Sequence, residues 1–192
     1  MILEVVQFGH PALRKKGARV ESITPALQEL IANMLETMYD ARGIGLAAQQ
    51  VGQPIQVTVI DVREASAERP STLEINGESV DVHDHMPMVL INPELSFVGE
   101  PVAGAEGCLS FPEMYADIVR PSVVDVVAMN EKGKRVAFRC GGLLARAVQH
   151  ETDHLNGILF IDRMDSAIKR SMKPELDELH AATREALEKK KS

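Results

Sequence analysis

Apolar residues recur at helical spacing over 24–41: Leu27, Leu30, Ile31, Met34, Leu35 and Met38 fall on one face. Thr24, followed by Pro25, supplies an N-cap, and glycines at 43 and 45 end the predicted helix. The period then changes to two. Residues 55–62 set Val57, Val59 and Asp61 against Thr58, Ile60 and Val62, which predicts a strand. Residues 64–87 are polar and irregular except around Asn76-Gly77, which sits between two short alternating runs. A two-residue turn there pairs Leu73 with Val80 and sets Ile75 and Val82 on one face. Further strands are predicted at 88–92, 123–129 and 135–140, the last two joined by a turn at Glu131-Lys132-Gly133. Gly141 and Gly142 precede a second helix over 143–155, and a final helical region runs from 164 to the end, where Pro174 kinks it or starts a new segment.

This order does not alternate as a parallel α/β unit does. It predicts one α+β domain over 1–192, with largely antiparallel sheets packed around a central helix and a C-terminal helical region over 164–192. Residues 64–87 read as a polar insertion whose hairpin is dispensable for folding, because its apolar face is small. With no Trp and 4% aromatic residues, aliphatic side chains and methionine must fill the core. A net charge of -7 argues against a protein built to grip DNA. No apolar run reaches the length of a bilayer span, and the N-terminus lacks the order of a signal peptide, so a cytoplasmic location is expected. In that setting Cys108 and Cys140 are a thiol or a metal ligand rather than a disulfide.

Candidate chemistry concentrates in three stretches. Gln149-His150-Glu151-Thr152-Asp153-His154-Leu155-Asn156-Gly157 holds His-Glu-x-x-His on a predicted helix. Spacing of four places His150 and His154 on one face, where both imidazoles reach one metal, while Glu151 reaches a water as general base. The competing reading is a solvated helix face. Two histidines need a third ligand, and Cys108 in Glu106-Gly107-Cys108-Leu109-Ser110 is the best candidate, against a packed core thiol. Cys140 competes for that role but ends a predicted strand, where a core thiol is favoured. The third stretch is Gly43-Ile44-Gly45-Leu46-Ala47-Ala48-Gln49-Gln50. It mimics a dinucleotide fingerprint but follows a helix, and Gly52 and Pro54 cut off any helix after it. The alternative is a glycine loop that lets backbone approach a substrate, with a Gln amide free to donate.

Together these stretches resemble the three signature motifs of the peptide deformylase family, unbroken and in the family's order. The resemblance extends from Pro11-Ala12-Leu13-Arg14 past Asn92-Pro93. It implies a hydrolase that removes the formyl group from the N-terminal formyl-methionine of nascent chains. It implies Cys108, His150 and His154 as ligands of one Fe(II) per chain, with zinc, nickel or cobalt able to substitute. It implies Glu151 as general acid/base, and Gln50 with the Leu109 N–H as oxyanion donors. Gly45, Ile44 and Gly107 would hold the peptide extended. Three features depart from many members. The 64–87 segment looks longer, and Tyr115 stands where some carry an Arg. Arg146 replaces an aliphatic residue near the methionine pocket, its stem expected to line that pocket while its charge reaches solvent.

A zinc-dependent peptidase of another His-Glu-x-x-His class is the rival, with Asp162 or Asp165 as its third ligand. His83-Asp84-His85 reads as a solvated loop rather than a second metal site, and His10 and His180 show no partners. Ile168, Met172, Leu176, Leu179 and Leu187 form a stripe that docks the last helix, while Lys169, Arg170, Lys173 and Lys189-Lys190-Lys191 offer a basic face toward the ribosome.

Overall fold

The computed structural model describes residues 1–190; Lys191 and Ser192, the end of the basic tail, lie outside the described residues. The first helix, α1 (Pro25–Asp40), is capped as its sequence predicts, with Thr24 Oγ1 accepting the Leu27 N–H at 3.2 Å. Its buried face packs Leu27, Ile31, Met34 and Met38 against Leu46, Val57, Val59 and Ile91. Its end differs from expectation, because the chain turns at Arg42 rather than at Gly43. Arg42 takes φ 53°. Its N–H meets Tyr39 O at 3.0 Å and the Gly43 N–H meets Met38 O at 2.9 Å, the paired bonds of a Schellman ending.

The strands are β1 (Gly45–Ala47), β2 (Val57–Ile60), β3 (Ser71–Ile75), β4 (Glu78–Ser79), β5 (Met88–Phe97), β6 (Pro101–Cys108), β7 (Phe111–Pro121), β8 (Val123–Met129) and β9 (Arg135–Gly141). Seven form one sheet in the order β1-β2-β5-β8-β9-β3-β4, and β6 and β7 form a separate hairpin. Every named strand pair is antiparallel. The alternation in β2 separates two buried faces rather than an inside from an outside: Val57 and Val59 join the α1 cluster, and Ile60 joins the opposite one. β5 runs beyond its predicted end. Asn92 adopts φ 51° and the register shifts between Ile91 and Glu94, a bulge that carries the strand past Pro93 and switches its partner from β2 to β8.

The Asn76-Gly77 turn forms as expected, with both residues at positive φ and the Val80 N–H on Leu73 O at 3.0 Å. The segment around it is not an appendage, and the expectation that it adds little to the core is corrected. β3 pairs with β9, and Leu73 and Val82 lie in the main core with Leu144 and Val148. Residues on and beside β3 also cap the central helix, α2 (Gly142–Leu155): Leu143 N–H bonds Pro70 O at 3.2 Å and Leu144 N–H bonds Ser71 Oγ at 2.9 Å. Along α2, every residue from Leu143 to Leu155 except Thr152 is buried. The helix is therefore enclosed on all sides rather than half-solvated. α3 (Ser166–Ser171) and α4 (Lys173–Lys189) follow, with Pro174 in the first turn of α4, so proline starts a new helix. Ile168, Met172, Leu176 and Leu179 pack on a cluster that contains Phe111, Ile118 and Phe160.

Candidate active site

α2 presents His150 and His154 one turn apart, their ring centroids 5.0 Å from each other. Cys108 comes from the end of β6, where the register slips between Gly107 and Cys108 as the hairpin turns. The ligand atoms of Cys108, His150 and His154 all lie within 4.8 Å of one another, and Cys108 Sγ is 3.3 Å from His154 Nε2. His150 Nδ1 is 2.9 Å from Glu106 Oε2, which leaves its Nε2 for a metal. Burial beside His150 pushes His154 well below the usual imidazole range, so it is neutral, the form that binds metal. One thiol and two oriented imidazoles, all but enclosed, make a donor set that fits a first-row divalent ion. Cys140 is excluded by place. It is fully buried in the sheet core, opposite Leu73 and Val124, and burial pushes its thiol up to about 12.

Glu151 is buried too, and burial pushes its carboxyl up to about 7, which suits proton transfer near neutral pH. Its Oε2 has no hydrogen-bond partner among the described residues. Gly45 explains how it fits: a Cβ there would lie 2.4 Å from Glu151 Oε1. Gly43 is similarly constrained by Leu109, whose Cδ1 would lie 2.8 Å from a Cβ. Gln50 Oε1 accepts the Ala47 N–H at 2.9 Å, which aims Nε2 at Cys108 Sγ (3.5 Å) and Ser110 Oγ (3.4 Å). The Leu109 N–H donates to no described group, while Leu109 O accepts from Gln7. Gly43, Gly45, Gln50, Cys108, Leu109 and Glu151 border one cavity of about 370 Å³, together with His150, Ile44, Gly107 and Leu143. The exposed Tyr115 lies across Gly107, whose Cβ would meet the ring at 2.6 Å.

What the sequence reading missed is a buried ionic network behind the ligands. Glu106 accepts from Arg120 Nη2 at 3.0 Å, Arg146 Nη1 at 2.9 Å and His150. Asp153 accepts from Arg120 at 2.8 Å and from Arg163 at 2.8 Å. Burial would raise the Glu106 carboxyl, but His150 and Arg120 outweigh it and hold it at about 2. A signal existed: Glu106 is two residues before Cys108 on one strand, hence on the same face. Nothing local marked Arg120. For Arg146 the expectation is corrected. Its charge does not reach solvent; Nη1 also bonds Ile118 O at 2.7 Å, and Nη2 bonds Val102 O at 2.9 Å.

The remaining candidates lie elsewhere. Asp162 pairs with Arg14 and accepts the Leu159 N–H, and Asp165 caps α3 through Ala167 N–H, so neither is a third ligand. His83 Nε2 meets Ser66 Oγ at 3.0 Å, and its loop forms no metal-holding group among the described residues. His10 Nδ1 accepts the Ala12 N–H at 3.1 Å, and His180 packs on Phe8 at 5.2 Å between ring centroids.

Residues 2–170 match the family model described as polypeptide deformylase. A peptide deformylase of Opitutus terrae is 42% identical over 188 residues, 97% of each chain. One from Methylacidiphilum infernorum is 44% identical over 179 residues, 93% of each. Among solved structures, a peptide deformylase from Synechococcus elongatus in complex with actinonin is 37% identical with a TM-score of 0.74, covering 94% of this chain and 85% of that one. One from Legionella pneumophila is 34% identical with a TM-score of 0.78, covering 96% and 98%.

Proposed function

The chain belongs to the polypeptide deformylase family, and from that premise we propose how its own residues carry the reaction. It is an enzyme that removes the formyl group from the N-terminal formyl-methionine of newly made proteins and releases formate. The observation that carries the residue-level reading is the convergence of Cys108, His150 and His154 beside a cavity that Cys108, His150 and a buried Glu151 line, with Glu151 Oε2 lacking a hydrogen-bond partner among the described residues. In this reading those three residues hold the metal, and the ion is Fe(II), one per chain, with zinc, nickel or cobalt able to substitute. A divalent ion there supplies Lewis acidity toward water and the formyl oxygen.

Glu151 accepts the proton of the attacking water and passes it to the departing amine nitrogen. Its burial matters, since a carboxyl near 7 exchanges protons in both directions at neutral pH. Gln50 Nε2 and the Leu109 N–H donate to the formyl oxygen as negative charge builds there. Gln50 needs no reorganisation, because the Ala47 N–H already fixes its amide. Gly45, Ile44 and Gly107 give the extended peptide close backbone approach along the cavity wall. Glu106 is a positioning residue that fixes the tautomer of His150.

The test is formate release from formyl-Met-Ala-Ser on anaerobically purified protein, with elemental analysis of the same sample. Glu151→Ala is expected to keep its metal and lose nearly all turnover, and Gln50→Ala to lose on the order of a hundredfold. Cys108→Ala is expected to lose the metal, and Cys140→Ala to retain it. Near-normal turnover in the Glu151 variant would sink the mechanism, and equal metal loss in both cysteine variants would reopen the ligand set.

We place the work in the cytoplasm, where nascent chains are made; no described helix is long and apolar enough to cross a membrane. For the ribosome we propose contact through the C-terminal helical region, α3 and α4. Arg170 and Arg184 carry no described carboxylate partner, whereas Lys173 and Lys190 pair with Asp177 and Glu4. Deleting residues 181–192 is expected to reduce co-sedimentation with ribosomes at low salt.

A further inference from the structure

Among the described residues, four that are not glycine hold a positive φ: Arg42 (53°), Asn76 (54°), Asn92 (51°) and Glu113 (58°). Sterics disfavour this region for L-residues, and asparagine is among the few that tolerate it. The two asparagines have local reasons. Asn76 builds the hairpin turn, and the Asn92 amide bonds Val20 N–H and Val20 O at 2.9 and 2.8 Å. Arg42 and Glu113 sit in local irregularities too, the Schellman ending of α1 and the β6–β7 register shift, but neither is a residue type that favours this region. Arg42 occupies the position of a helix ending where glycine is usual. Glu113 follows the turn that carries Leu109 and Ser110.

Neither side chain makes a hydrogen bond or ion pair with a described residue. Both are exposed, and both line the cavity that Glu151, Cys108 and His150 border. Arg69 lines it as well, and its guanidinium donates to Ala105 O at 3.0 Å without a carboxylate partner. Glu64 and Glu68 share an adjoining cleft with Arg42 but do not pair with it. A charged residue kept at a positive φ where glycine is usual, with its side chain unpaired at the rim of a site, points to function.

A formyl group seated at the ligands sends the rest of the peptide out across the cavity mouth. At that mouth Arg42 and Arg69 outnumber Glu113. We propose, on the basis of the deformylase reading, that Arg42 and Glu113 read charge on the residues after methionine, and that the rim as a whole favours formylated chains with an acidic side chain there. The left-handed backbone sets the direction in which each side chain leaves the wall. The contacts are solvent-exposed, so the discrimination is graded and sensitive to salt. Glu113 works in the opposite sense, which limits the preference and lets chains with basic residues pass.

The experiment measures kcat/KM by formate release for formyl-Met-Ala-Glu and formyl-Met-Ala-Lys in the wild type, Arg42→Gly and Glu113→Gly. Glycine is the residue best suited to both φ values, so neither variant burdens the fold. The wild type is expected to favour the Glu peptide by about threefold at low salt, the scale of one exposed ion pair. Arg42→Gly is expected to bring that ratio to about one or below, and Glu113→Gly to raise it about threefold, both mainly through KM. High salt is expected to flatten all three ratios. A wild-type ratio of one, or a ratio that Arg42→Gly leaves unmoved, overturns the proposal. Failure of the wild type to deformylate neutral formyl-Met-Ala-Ser would instead overturn the deformylase reading beneath it.

Discussion

Glu106→Gln tests whether His150 is held by a charge or only by shape. Glu106 is 6% exposed, and both Arg120 and Arg146 are buried against it with His150. Glutamine keeps one acceptor oxygen and turns the other into an NH2. With the oxygen on the side of Arg120 Nε and Arg146, the NH2 faces Arg120 Nη2 and His150 Nδ1. Two donors then meet at Arg120. At His150, Nδ1 must become the acceptor, so the ring proton moves to Nε2 and occupies the lone pair a metal requires. The flipped amide is worse, since it sets an NH2 against two buried guanidinium groups. Losing a charge-assisted bond costs about 1.5–3 kcal/mol, less than the roughly 3–5 kcal/mol of leaving a buried ion with no partner. For a domain of this size about 1 kcal/mol lowers Tm by roughly 2–4 °C, so the variant should melt about 3–12 °C lower. Metal affinity should fall about 10- to 100-fold. Thermal unfolding of chelator-stripped protein measures the first quantity, and titration with zinc against a competing chelator measures the second. A lower Tm with unchanged affinity would mean that Glu106 serves only the arginines, and no change in either would refute the reasoning altogether.

Gly45→Ala is expected to fold but to lose about a hundredfold in kcat, because its Cβ would lie 2.4 Å from Glu151 Oε1 and displace the base; an unchanged kcat would show that Glu151 has room to retreat without cost. Leu73→Ala is expected to cost about 2–5 kcal/mol in urea unfolding, since the side chain is fully buried in the main core. Replacing residues 66–85 by a short Gly/Ser link, which removes Leu73, Val82 and the Ser71 cap together, is expected to yield insoluble protein, and a soluble, metal-bound product would contradict that placement. Burial would raise the Asp162 carboxyl, but Arg14 and the Leu159 N–H hold it below its ordinary value. A carboxyl depressed in the fold contributes stability above its unfolded pKa of about 3.9 and loses it as pH falls through the folded value. Asp162→Asn is therefore expected to cost about 1 kcal/mol at neutral pH, and its melting curve should converge on that of the wild type in acid; a gap that persists there would assign the loss to something other than charge.

Features decided within a few residues were legible in the chain itself. The Thr24 cap, the Asn76-Gly77 turn, the β8–β9 hairpin and the one-turn spacing of His150 and His154 all rest on short-range sterics and hydrogen bonds. The motifs carried the family for the same reason, since each keeps its chemistry in an unbroken run. β6 and β7 were not legible, because Pro101-Val102-Ala103-Gly104-Ala105 lacks the bulky alternation that marks a strand, and its pairing comes from β7. Residues 64–87 looked dispensable because a mostly polar stretch does not reveal that Leu73 and Ser71 reach α2, 73 residues away in the case of the Ser71–Leu144 bond. Arg146 looked solvated because the side chain is polar and the helix position alone does not say what faces it. Only the packing of β6 and β7 over α2 supplies the Glu106 carboxylate and the Val102 and Ile118 carbonyls that let a guanidinium stay inside. Local pattern determines which elements form and which side chains share a face, but burial and ionic partnership are set by contacts between segments far apart in the chain, and those exist only once the sheet has closed around α2.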